Sequence, residues 1–216
     1  MAIRLDTLFN TGEQIILDSS IRGRGCNNWL KNLYRISALN DADQTSLTLA
    51  KQSVLDAFSD YIRNNTLTVG GAVRELRNYA NAVRKKKLDF EQDQDPREDR
   101  IHPVIQELMR IHTGILALAD IAKTKLYDSK SPQYRDILDV IRGIYYSTNS
   151  RKPHRRETDL QVVTAGIHSA NYVPTHVVSK DFDITRLVRK YTQGRSTPHS
   201  LACYFMVSDS EAERTV

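Results

Sequence analysis

Five acidic residues stand where short apolar runs end or where helical patterns begin. Asp18 closes Gln14-Ile-Ile-Leu17, and Asp181 and Asp183 follow Val177-Val-Ser179. Glu75 comes soon after Leu67-Thr-Val69, and Asp159 opens an apolar helical stretch. If the runs are parallel strands of one sheet, Asp18, Glu75, Asp159 and Asp181 converge on one edge of it. Carboxylates held together disfavour one another's charged form unless a cation neutralises them. Oxygen ligands with no His or Cys nearby in sequence suit Mg²⁺ or Mn²⁺ rather than zinc. Such ions lower the pKa of bound water and offset developing charge on phosphoryl oxygens. The chemistry expected is therefore phosphodiester hydrolysis without a Ser or Cys nucleophile. Each acid alone has a plainer role: a strand-end Asp completes a turn, Glu75 and Asp159 complement helix dipoles, and Asp183 N-caps its helix. It is the joint pattern that carries the reading.

The elements that must position these acids follow from periodicity. Gln14–Leu17, Leu67–Val69, His176–Ser179 and Leu201–Val207 are short apolar runs read as buried strands. Asp41–Asn65 is read as a helix, with Leu47, Ala50, Val54, Phe58 and Tyr61 on one stripe. Further helices are expected over Ala72–Lys87, Ile101–Leu126, Gln133–Tyr146, Thr158–Ala170 and Ile184–Tyr191. Ser131 and Pro132 have the types of an N-cap and a first helical residue. Asp89–Arg100 reads as a polar loop, Ser150–Arg156 as a basic loop, and 208–216 as a frayed tail. Strands alternating with helices point to an α/β fold with a parallel sheet covered on both faces. In such sheets the functional crevice lies at the carboxyl ends of the strands.

The chain has 216 residues, enough for one domain with a core that needs no disulfide. With 40% hydrophobic and 26% charged residues, the balance is that of a folded water-soluble domain. No apolar run nears the ~18 residues of a membrane span, and Asp6 and Glu13 break any leader-like apolar segment. Cys26 and Cys203 make neither a disulfide framework nor a zinc site, so a reducing, cytoplasmic setting is expected. The net charge of +5 favours a polyanionic partner.

In order along the chain, four segments resemble the motifs of PIN-domain nucleases. IILDSSI resembles their opening strand, with Asp18 at its end and the small polar Ser20 two positions on. TVGGAVRELRNY is similar to the second motif, with Glu75 as its acid, and ETDLQVVTAGIHSA to the third, with Asp159. VVSKDFDITRL is similar to the fourth: a strand, the hydroxyl of Ser179, then Asp181 and Asp183. The resemblance spans roughly residues 12–210. It implies a three-layer α/β/α sandwich and endonucleolytic cleavage of RNA that leaves a 5′-phosphate and a 3′-hydroxyl. It implies Asp18, Asp159 and Asp181 as principal Mg²⁺ or Mn²⁺ ligands, direct or through water. Glu75 would be a ligand or position the water, Asp183 would be a secondary ligand, and Ser20 and Ser179 would support them. A toxin-like enzyme would bring an inhibitory protein partner or a homo-oligomer. Two departures stand out. The stretch 88–149 is a helical elaboration, and the residues after Asp18 run Arg22-Gly-Arg-Gly-Cys-Asn-Asn where the family is usually apolar.

Arg22, Arg24, Arg151, Lys152, Arg155 and Arg156 are candidate phosphate contacts, the last four because their loop leads into Asp159. Arg84–Lys87 is read instead as a cationic helix end. Tyr145, Tyr146 and Tyr172 are read as core or surface aromatics rather than base-stacking ones. Gly23-Arg-Gly25 is only a partial dinucleotide-binding turn, no phosphate-binding P-loop is present, and Ser20 replaces the second Asp of haloacid-dehalogenase-like phosphatases. A second function class stands beside the enzyme: a catalytically inactive nuclease-like module that binds RNA or protein. Replacement of one or two of the acids would mark that class, and all four are present.

Overall fold

In strand β2, Gln14–Leu17, the apolar run Ile15-Ile-Leu17 is fully buried on both faces of a sheet. Alternation sends Ile15 and Leu17 into one core and Ile16 into the other. The computed structural model describes residues 2–19, 65–92, 98–148, 157–206 and 211–216. The expected helix over Asp41–Asn65 lies outside the described residues, apart from Asn65.

Six strands form one sheet among the described residues. Besides β2 they are β1 (Ala2–Arg4), β3 (Thr66–Leu67), β4 (Thr175–Ser179), β5 (Leu201–Met206) and β6 (Glu211–Arg214). Their order across the sheet is β1-β6-β5-β4-β2-β3. Strands β3, β2, β4 and β5 run parallel, while β6 is antiparallel to both β5 and β1. The sheet is therefore mixed rather than wholly parallel. Residues 211–214, within the tail expected to fray, are strand β6, paired with β1 on one side and β5 on the other and anchored by the buried Ala212. Glu211–Arg214 has no apolar run to announce it as a strand.

Helix α1 (Leu5–Phe9), α2 (Gly70–Gln92) and α3 (Glu98–Thr124) cover one face; α4 (Pro132–Thr148), α5 (Glu157–Ser169) and α6 (Phe182–Thr192) cover the other. Helix α2 runs past the expected Lys87 because its stripe continues: Leu76, Val83 and Phe90 recur every seventh residue and all are buried. Arg84–Lys87 thus lies inside the helix, not at its end, and Lys87 pairs with Glu91 one turn on at 2.8 Å. The stretch 88–149 supplies α3 and α4. Leu108, Ile111, Ile115 and Leu118 fill the first core, and Tyr134, Ile141 and Tyr145 fill the second. The Ser131 hydroxyl accepts from the Tyr134 N–H at 3.0 Å, the expected cap of α4. Ten of the thirteen residues of α5 are buried. It lies close on β4 because Gly166 has no Cβ; one there would strike the side chain of Val177. Among the described residues, no helix is long and apolar enough to cross a membrane.

Candidate active site at the carboxyl ends of β2 and β4

From β2 the chain goes to β3 on one side, and β4 later takes the other side. The order therefore reverses between β2 and β4, and crevices in such sheets open at the carboxyl ends of the strands beside that reversal. Asp18 sits there. Its N–H donates to Val178 O at 3.1 Å, prolonging the β2–β4 ladder beyond Leu17. Its carboxylate is almost wholly buried, with 2% of the residue exposed. The Ser179 hydroxyl, at the end of β4 and fully buried, donates to Asp18 Oδ2 at 2.9 Å. Ser179 Oγ in turn accepts from the Asp181 N–H at 2.8 Å. One serine thereby fixes both the Asp18 carboxylate and the turn that leads into α6.

The neighbouring Ser19 joins a second acid. Its hydroxyl donates to Glu75 Oε2 and lies 3.5 Å from Asp18 Oδ1. With one proton to give, it faces two carboxylates, so Asp18 and Glu75 share one small volume although 57 positions apart. Glu75 reaches this point from the second turn of α2. The first turn of α2 packs against the first turn of α5: a Cβ on Gly71 would lie 2.6 Å from Thr158 Oγ1, and the Gly71 N–H donates to Gln161 Oε1 at 3.0 Å. Only glycine permits that approach. Asp159, half-buried, stands in this same turn of α5.

Among the expected ligands, then, Asp18 and Glu75 are brought together, with Ser179 supporting Asp18. Asp181 lies two residues after Ser179, but its Oδ1 accepts from the Asp183 N–H at 2.8 Å and caps α6. The cap is Asp181, and Asp183 occupies the first turn instead of the cap position. Among the described residues, no three His, Cys, Asp or Glu side chains are arranged to hold a metal ion. Ser20, Arg22, Arg24, Arg151, Lys152, Arg155 and Arg156 lie outside the described residues. Ser19 and Gln161 were not singled out by sequence reasoning. The motif resemblance points past Ser19 to Ser20, and it is the contact of the Ser19 hydroxyl with Glu75 that makes Ser19 the neighbour that counts.

Two buried histidines are held by partners elsewhere in the fold. His176, at the amino-terminal half of β4, is buried against the edge of Tyr204. His168 closes α5 and bonds the Tyr127 hydroxyl at 2.7 Å and the Ser131 hydroxyl at 2.9 Å. Burial pushes both imidazoles below the usual histidine value; Asp128 opposes this for His168, and Glu13 for His176. Tyr145 is core, whereas Tyr146 and Tyr172 are exposed. Comparisons with protein-family models, curated proteins and solved structures gave no match to this chain.

Proposed function

We propose that this protein is a metal-dependent endoribonuclease with a PIN-like α/β/α sandwich, acting through Asp18 and Glu75 with Asp159 and Asp181 beside them. The observation that carries the reading is the buried Asp18 at the reversal between β2 and β4, sharing the Ser19 hydroxyl with Glu75. Among the described residues the donor set there is carboxylate and hydroxyl oxygen, which suits Mg²⁺ or Mn²⁺. Mg²⁺ keeps several waters and takes one or two carboxylates, so it does not need a three-carboxylate cage. When bound, the ion supplies an activated water and offsets charge on the phosphodiester. The protein's own part is to hold Asp18 still through Ser179, to bring Glu75 to it on α2, and to keep the pair in a partly dry crevice.

RNA is the substrate this reading favours, on the motif resemblance and the net charge of +5. The Arg22, Arg24 and Arg151–Arg156 cations would hold its phosphates, in a reducing cytoplasmic setting where an inhibitory partner or a second copy controls access. The inactive binding-module reading has one observation of its own, the commitment of the Asp181 carboxylate to capping α6.

Cleavage of labelled RNA and DNA, with Mn²⁺ and then with excess EDTA, separates the two. Mn²⁺-dependent RNA cleavage that falls at least ~100-fold in Asp18→Asn is the expected outcome. Undiminished cleavage in EDTA, or near-normal cleavage by Asp18→Asn, overturns the assignment.

A further inference from the structure

We propose that a cleft beside the acids, between α2, α4 and α5, is a binding site for a nucleoside phosphate. The cleft has a volume of about 420 Å³, within the roughly 300–1,000 Å³ of small-molecule sites and far more than a bare phosphate fills. Arg74 of α2 and Arg135 of α4 both line it, and both are exposed. Among the described residues neither makes an ion pair, whereas Arg77 and Arg142 on the same helices do. No carboxylate lines the cleft among the described residues. Two unneutralised guanidinium groups at one opening select an anion, and their planar donor forks match phosphate oxygens.

The rest of the wall suits a base and sugar. Tyr127 and Tyr134 stand with ring centroids 6.1 Å apart, and their hydroxyls are committed elsewhere, to His168 and to Gln161 O. Tyr134 is buried, so the ring that a ligand can meet is that of the half-buried Tyr127. Gln161 gives its carbonyl to Gly71, which leaves its amide N–H₂ to read an acceptor on a base edge. Gly70 leaves the floor open, since a Cβ there would meet nothing within 4 Å. Two of its lining residues flank the acids in the chain: Arg74 directly precedes Glu75, and Gln161 lies two residues after Asp159. Occupancy needs neither metal nor turnover, so the inference goes beyond the proposed hydrolysis and stands or falls separately from it.

The test is calorimetric titration in excess EDTA, where no hydrolysis occurs. AMP, UMP and inorganic phosphate are titrated into the full chain, into Arg74→Gln, Arg135→Gln and the double variant, and into Arg77→Gln as a control. Saturable one-to-one nucleotide binding is expected, weakened about tenfold or more in the double variant and unchanged in Arg77→Gln. Arg74→Lys and Arg135→Lys should lose less, because they keep the charge but not the fork. Circular dichroism and melting confirm that each variant is folded. A 5′-phosphorylated RNA oligonucleotide that binds more tightly than AMP assigns the cleft to a strand end; weaker or equal binding assigns it to a free mononucleotide. Absence of saturable binding at millimolar nucleotide, equal affinity in the double variant, or inorganic phosphate binding as well as AMP overturns the proposal.

Discussion

Replacing Ser179 with Ala separates the scaffold of the site from its chemistry. The hydroxyl is fully buried, and its bonds include one to the Asp18 carboxylate and one from the Asp181 N–H. A hydrogen bond to a charged group contributes about 1.5–3 kcal/mol, and one from a neutral N–H about 1 kcal/mol. Alanine keeps the Cβ but leaves both partners without this hydroxyl, so the loss should be ~2–4 kcal/mol. For a chain of this size, each kcal/mol moves Tm by roughly 2–4 °C, giving a fall of about 4–15 °C. Asp18→Asn should behave differently. Its amide oxygen still accepts from Ser179, so Tm should stay within a few degrees while cleavage is lost. The assay is calorimetric melting of both variants and wild type in EDTA, alongside cleavage in Mn²⁺. A Ser179→Ala protein that melts within ~1 °C of wild type would show that this hydroxyl does not secure the site, and the positioning argument would fall.

Two further perturbations test the frame around it. His168 has its pKa lowered by burial, so below about pH 6.5 the unfolded chain binds a proton that the folded chain resists. Stability should fall as pH drops through that value toward the lowered one, and urea unfolding of His168→Gln should show a shallower fall; an identical slope refutes the assignment. Gly166→Ala places a methyl against Val177, which should cost about 1–3 kcal/mol of overpacking against at most ~1 kcal/mol gained in helix propensity. Adding Val177→Ala should recover part of the Tm; if the two losses simply add, the contact is not the cause.

What could be read before folding was whatever a short stretch decides by itself. The Ile15–Leu17 run marked a buried strand, Ser131-Pro132 marked the start of α4, and Val162, Val163 and Ile167 marked the inner face of α5. Asp18 was legible because strand-end position is a local property. The meeting of Asp18 with Glu75 was legible only in outline, since it depends on Gly71 letting α2 approach α5 and on Ser19 turning back where β2 ends. The capping role of Asp181 over Asp183 turns on where α6 begins, a matter of one or two residues that pattern cannot resolve. Strand β6 was not legible: Glu-Ala-Glu-Arg has no apolar alternation, and it is a strand because β5 and β1 supply its backbone partners.

The pairing of β1 with β6 joins residues 2–4 to residues 211–213. Closing so long a loop is entropically dearer than any local contact, so this ladder should zip late, onto an already formed sheet. Until it does, β6 presents a row of open N–H and C=O groups, and such a row is a template for a strand from another molecule. β1 thus acts as a guard rail. A chain shortened by its first four residues would lose β1 while keeping α1 and the acidic crevice on the far strands, and its characteristic failure would be exchange of edge strands between molecules and then precipitation.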